Sequence, residues 1–180
     1  MAYRISYTIY FLFIISLSAC SQNKLTTSEQ KTPVFVNSEK EHKAYFASGC
    51  FWCVEAIYES IIGVNNVVSG YSGGNIPNPT YEIVNTKITG HAETIEVSYD
   101  PKKINFSILV DIYFASQEIE QINGQGPDNG PQYRSIIFYQ TVAQRDLINE
   151  KIKSLEKNKN LKVAAEVSAF QKFWVAENYH

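Results

Sequence analysis

Nowhere does the chain gather lysine and arginine. Its 16 basic residues face 18 acidic ones, for a formal charge of −2, and they form no dense positive patch of the kind a phosphate backbone demands. Nucleic acid is therefore not an expected partner. Histidine is scarce too: His42, His91 and His180 are the only three, and no two sit at ligand spacing. One cysteine pair with scattered histidines does not supply the four ligands of a zinc site, so no metal is expected. The longest apolar run, about residues 9–17, falls short of the roughly 18–20 residues that a stable membrane span takes. Internal repeats are missing. Methionine is all but missing, with Met1 alone.

What the sequence does have begins with a leader. "MAYRISYTIYFLFIISLSAC" places Arg4 ahead of the apolar run and ends it in small residues, which is the pattern of a secretory signal. Its end, "LSAC", resembles a bacterial lipobox, in which the cysteine is acylated and becomes the first residue of the mature chain. Residues 1–19 are then a signal peptide, Cys20 a lipid anchor, and residues 20–41, rich in Ser, Thr, Asn, Gln, Lys and Glu, a flexible tether. The other reading is an ordinary signal cut nearby, with Cys20 a free thiol. Cleavage before Cys20 removes Arg4 and takes the charge to −3. The expected location is a membrane-anchored lipoprotein facing the periplasm or the cell exterior, touching the membrane through the lipid alone.

Residues 42–180 make one domain. The patterning predicts a strand at 43–47 and a helix at 51–62, with Val54, Ile57, Tyr58 and Ile61 as its apolar stripe. Ser48 is its expected cap and Gly63 its expected end. Further strands are expected at 66–71, 93–100, 134–139 and 162–169. Helices are expected at 105–116, capped by Asn105, and from Thr141 to about 158. In "ETIEVSYD", Ile95, Val97 and Tyr99 alternate onto one face. The Gly/Pro-rich stretch 122–133 is too long to be a simple turn and reads as functional. Interleaved strands and helices give an α+β or α/β domain: a mixed or mostly antiparallel sheet with helices packed on it.

With Cys20 lipidated, Cys50 and Cys53 are the domain's only thiols. A bridge between them closes almost no loop and would stabilise little, so reactivity is the better reason for the pair. Cys50 falls at a strand-to-helix turn, where the free N–H groups and dipole of the helix favour a thiolate and are expected to lower its pKa. Cys53 follows at i+3 on the same side, so one thiol can attack and the other resolve.

"GCFWCVEA", "GYSGG", "NPTYEIV", "TGHAETIEVSYDP" and "GPQYRSIIFY" occur in that order. Together they resemble the A-type peptide methionine sulfoxide reductases, over about residue 42 to the C-terminus. The resemblance implies a ferredoxin-like two-layer α+β sandwich, no metal, no flavin and a thioredoxin-type dithiol reductant. It implies reduction of the S epimer of methionine sulfoxide, in oxidised proteins or peptides or as the free amino acid. It makes Glu93 the acid that protonates the sulfoxide oxygen, and Tyr81 and Tyr133 its hydrogen-bond donors. Asp128 would organise the site, and Phe51 and Trp52 would wall the methyl group. An aromatic wall suits an apolar methyl beside a polarisable sulfur in any case.

This chain departs from the pattern at several points. Many relatives read "GCFWG" and carry resolving cysteines in a C-terminal tail; here Cys53 replaces the glycine and no cysteine follows it. Gln117-Glu118-Ile119 stands where "HDP" is common, and Asp128-Asn129-Gly130 where "DHG" or "DVG" is. The expected cycle oxidises Cys50 to a sulfenic acid, condenses it with Cys53 and resets the disulfide by exchange. A monomer is expected. Two rival readings remain at this level. One is a thioredoxin-like dithiol–disulfide oxidoreductase, although Trp52 lies inside the pair rather than before it. The other is a surface lipoprotein that binds peptides without catalysis.

Overall fold

The computed structural model describes residues 42–180. The expected signal segment, Cys20 and the polar tether lie outside the described residues. Strand β1 (His42–Ala47) opens the domain and is followed by α1 (Phe51–Glu59), β2 (Val64–Ser72), α2 (Tyr81–Val84), β3 (Ala92–Tyr99) and α3 (Phe106–Ala115). A two-residue ladder of β4 (Gly124–Gln125) and β5 (Asp128–Asn129) leads to a 3-10 turn at Pro131–Tyr133. Then come β6 (Ile136–Tyr139), α4 (Val142–Lys159), β7 (Glu166–Ala169) and β8 (Phe173–Val175).

The large sheet runs β7-β6-β1-β3-β2-β8. Every pair in it is antiparallel except β6 with β7. Its inner four strands, β6-β1-β3-β2, are joined through α1 and α3 in two interlocked β-α-β units, the ferredoxin-like arrangement. The mixed α+β sheet expected from the sequence is thus present. The helices cover one face. Val54 and Tyr58 of α1, Leu109 and Tyr113 of α3 and Ile148 of α4 share a core with Phe46, Ile95 and Val97. Two buried hydroxyls tie the layers: Tyr58 donates to the Leu109 carbonyl at 2.9 Å, and Tyr113 to the Ala47 carbonyl at 2.9 Å.

Two expected caps hold. Asn105 accepts from the Ile108 N–H at 3.0 Å, and Thr141 from the Gln144 N–H at 3.2 Å. Ser48 does not cap α1: Cys50 occupies that position, and the Ser48 hydroxyl donates to Gln117 Oε1 at 2.6 Å instead. Helix α1 stops at Glu59, short of the expected 62, and β7 begins at Glu166 rather than 162. The patterning also missed α2 and β8.

The alternation of β3 does not mean one wet face, because all eight of its residues are buried. The chain after β7 lies over the second face, where Phe170 stacks on Tyr45 with ring centroids 3.8 Å apart and Phe173 joins the small core there. The polar row of β3 finds partners inside it. Glu96 accepts from Lys43 Nζ at 2.7 Å and from the Tyr45 hydroxyl at 2.8 Å. A buried charge satisfied in this way avoids the penalty of an unpaired one.

Candidate active site

The site is built where β1 turns into α1. Gly49 makes the turn at φ +73, and its N–H donates to the Tyr133 carbonyl at 3.1 Å. A Cβ at Gly49 would come within 2.6 Å of Gln125 Cβ, so only glycine lets the β4–β5 hairpin close on this turn. Cys50 follows in extended backbone at the head of the helix, half-buried, while Cys53 one turn on is exposed. The Cys50 carbonyl accepts from the Cys53 and Val54 N–H groups at 3.1 and 3.3 Å.

Glu93 stands on the same face of β3 as Ile95 and Val97, which alternation dictates, and only 2% of it is exposed. Its carboxylate Oε2 accepts from the Phe51 N–H at 3.0 Å. The first free N–H of α1 is therefore taken by the acid and not by a serine, and this fixes the carboxyl beside the thiol. Burial pushes the Glu93 carboxyl up to about 7; the Phe51 hydrogen bond opposes the rise and the Asp128 carboxylate adds to it.

The Cys50 thiol departs from expectation. The N–H groups of Cys53 and Trp52 do lower its pKa, but burial outweighs them, and Cys53 and Glu93 raise it further. The net direction is upward. The helix terminus offsets part of the desolvation cost without overcoming it.

The other residues expected at the site converge on this point. Burial pushes the Tyr133 hydroxyl up to about 12, with Glu93, Tyr81, Asp128 and Cys50 all close enough to raise it as well. Tyr81 begins α2, whose N-terminus is capped by Thr80. Phe51 and Trp52 are not equivalent. Phe51 is buried against Tyr71, whereas Trp52 is 53% exposed at the rim. Among the described residues no cluster of three or more His, Cys, Asp or Glu is placed to hold a metal.

The roles of Glu177 and His180, and the contacts that Gln117 makes, were not legible in the sequence. Glu177 accepts from the Tyr81 N–H and from the Tyr71 hydroxyl, each at 3.0 Å, and so clamps α2 to β2. His180 packs its ring 4.9 Å from Phe51, 5.4 Å from Trp52 and 5.1 Å from Tyr81. Its Nε2 lies 3.2 Å from Glu177 Oε2, yet neither ring nitrogen is aligned for a hydrogen bond. The Gln117 contacts explain a departure from the family pattern. Gln117 Oε1 accepts from Ser48 and Ser135, and Gln125 donates to Ser135 and to the Glu118 carbonyl. Gln117 thus holds the turn before Cys50 to the end of α3. No local pattern announces contacts of such sequence separation, although Gln117 already stood out in the sequence as a departure from the family pattern.

A cleft of about 530 Å³ opens on the Cys53 side, between α1, the end of α3 and the β4–β5 hairpin. The aromatic side, with Phe51, Trp52, Tyr81 and His180, forms a separate wall.

The sequence model of the family described as Peptide methionine sulfoxide reductase matches residues 42–180. The peptide methionine sulfoxide reductase MsrA of Nautilia profundicola is 46% identical over 138 residues, covering 77% of this chain and 79% of that one. The corresponding protein of Haloquadratum walsbyi is 44% identical over 137 residues, covering 76% and 79%. Among solved structures, reduced Mxr1 from Saccharomyces cerevisiae superposes with a TM-score of 0.73 at 29% identity, covering 83% of this chain and 87% of that one.

Proposed function

Because this chain belongs to the peptide methionine sulfoxide reductase family, we propose that it reduces the S epimer of methionine sulfoxide in oxidised proteins and peptides through Cys50 and Glu93. The observation that carries this reading is the Glu93 carboxyl, buried, raised to about 7 and held on the first N–H of the helix that Cys50 heads. A nucleophile and a proton donor are thereby fixed at one point, which is what breaking an S–O bond requires.

In the proposed cycle the sulfoxide methyl rests against Trp52 over Phe51. The sulfoxide oxygen receives hydrogen bonds from Tyr81 and Tyr133, and Asp128 orders the hairpin side. The Cys50 thiolate attacks the sulfoxide sulfur and Glu93 gives its proton to the oxygen. Methionine leaves, and Cys50 keeps the oxygen as a sulfenic acid. The Cys53 thiol displaces it as water, forming the Cys50–Cys53 disulfide. Cys50 caps α1 and Cys53 lies in its first turn, with the Cys53 N–H donating to the Cys50 carbonyl at 3.1 Å, so the two thiols meet over one turn of chain. A thioredoxin-type dithiol then restores both thiols. No prosthetic group takes part, and the protein works as a monomer with both cysteines on one helix. A dithiol carrier without sulfoxide chemistry is not favoured, since the reductase family matches all of residues 42–180 and relatives 44–46% identical carry the reductase name.

The test is turnover of a defined peptide sulfoxide with dithiothreitol. The S epimer is converted to methionine and the R epimer is left; conversion of neither, in folded protein, contradicts the reading.

For the segment outside the described residues, "LSAC" and the polar stretch behind it support lipidation at Cys20. Fractionation of cells should find the mature protein in the membrane, and Cys20→Ala should release the domain or leave it uncleaved. Wild-type protein that is wholly soluble with an unmodified N-terminus would contradict the anchor.

A further inference from the structure

The two sides of Cys50 differ in chemistry, and only one of them suits the reductant. On the aromatic side the thiol meets Glu93, Phe51 and Tyr133, and His180 closes over Phe51 and Trp52. That wall is fitted to a small group carrying a methyl and an oxygen. The opposite cleft exposes Cys53 and is lined by Ala115, Glu118, Gly126, Pro127 and Asp128 besides the two cysteines. It is larger than one side chain requires. It also carries the carboxylates of Glu118 and Asp128 with no lysine or arginine among its lining residues. A Cβ at Gly126 would meet nothing within 4 Å, so one side of the hairpin tip is open, while its backbone is held by Gln121.

Disulfide exchange adds a directional demand. The attacking thiolate approaches one sulfur from the side away from the other. Cys53 is exposed toward the cleft, whereas Cys50 is half-buried behind it beside Glu93. A protein thiol therefore reaches Cys53, with Cys50 as the leaving sulfur. We propose that the cleft between α1, the end of α3 and the β4–β5 hairpin is the docking surface of the protein reductant. That partner presents an uncharged or basic extended segment around its attacking cysteine and strikes Cys53, while the sulfoxide binds on the aromatic side.

This inference rests on the reductase reading of the same site. The reductant thiolate bonds to Cys53 Sγ, the Cys50–Cys53 bond breaks and its electron pair goes to Cys50. The second thiol of the partner then bonds to the first, freeing Cys53. The partner ends as a disulfide, and its two electrons and two protons have passed to the enzyme thiols.

Two exposed positions on opposite walls test it: Ala115→Trp at the end of α3 and Pro127→Trp on the hairpin, with Glu118→Lys as a charge probe. Each is assayed for methionine released in a single turnover, for turnover with dithiothreitol, and for turnover with thioredoxin, thioredoxin reductase and NADPH. The expected result keeps the single methionine per enzyme and keeps dithiothreitol turnover within about twofold, while the KM for thioredoxin rises about tenfold or more. Glu118→Lys raises that KM as well. A thioredoxin lacking its second cysteine should be trapped on the Cys53 peptide. Unchanged thioredoxin kinetics in both tryptophan variants overturns the inference, as does trapping on Cys50. Loss of the single-turnover methionine in folded variants overturns it too, by making the cleft the sulfoxide's. Failure of the reductase reading is distinguishable, because the wild type would then release no methionine at all.

Discussion

Cys50→Ser abolishes sulfoxide reduction altogether, whereas Cys53→Ser still releases one methionine per enzyme and then stops. The difference follows from place. Cys50 heads α1 beside the Glu93 carboxyl, and the N–H groups of Trp52 and Cys53 face its sulfur. Cys53 is exposed one turn on. Only Cys50 can be attacked by, or attack, a sulfur whose oxygen lies against Glu93. Without Cys53 the sulfenic acid persists, since no other thiol exists in residues 42–180. A dimedone-type reagent should label it. Recycling by thioredoxin fails or slows sharply, and a small thiol that reaches Cys50 directly restores part of the turnover. The readout is methionine per enzyme with and without reductant. A Cys53→Ser enzyme that recycles normally with thioredoxin would show that Cys53 merely replaces a glycine.

Glu93→Gln lowers the single-turnover rate at pH 7 by about 10²–10⁴, the usual worth of a placed general acid. Glutamine still accepts the Phe51 hydrogen bond, so the turn is kept and the proton alone is lost. The pH dependence separates this from a structural role. Productive enzyme needs Cys50 ionised and Glu93 protonated, and burial raises both groups. Below about pH 7 the wild-type rate climbs with the thiolate fraction. Above it each gain in thiolate is cancelled by loss of the Glu93 proton, so the profile flattens until Cys50 is ionised. In Glu93→Gln the much slower rate should go on climbing past pH 7. A mutant rate equal to wild type would move the acid to Tyr81, Tyr133 or water.

Stability carries the opposite sign to the familiar carboxylate case. The folded pKa of Glu93 is raised, so its contribution is fully present below the unfolded value of about 4.3 and is lost as pH rises through about 7. Unfolding by urea should show Glu93→Gln gaining on the wild type between pH 5 and pH 8, by up to about 3 kcal/mol.

Much of this was written locally in the sequence. Asn105 and Thr141 announce their helices because an N-cap needs only its own next turn. Glu93 shares the odd-numbered row of Ile95 and Val97, so a carboxyl facing the core could be read before any fold was known. Ser48 misled for a physical reason: its hydroxyl is claimed by Gln117, 69 residues away, and no window along the chain contains both. β8 was too short to show a period, although it brings Phe173 into the second core and continues to Glu177 and His180. The direction of the Cys50 shift was missed because capping belongs to the helix, which the sequence shows, while desolvation belongs to what packs over it, which it does not.

The most direct measurement takes the fully reduced wild-type enzyme, adds one equivalent of a peptide bearing the S sulfoxide without reductant, and weighs both products. One methionine peptide should form per enzyme. The protein should lose two hydrogens, with Cys50 and Cys53 joined in one proteolytic fragment. Methionine formed without that bridge, or a bridge formed without methionine, would contradict the assignment of Cys50 as nucleophile and Cys53 as its resolving thiol.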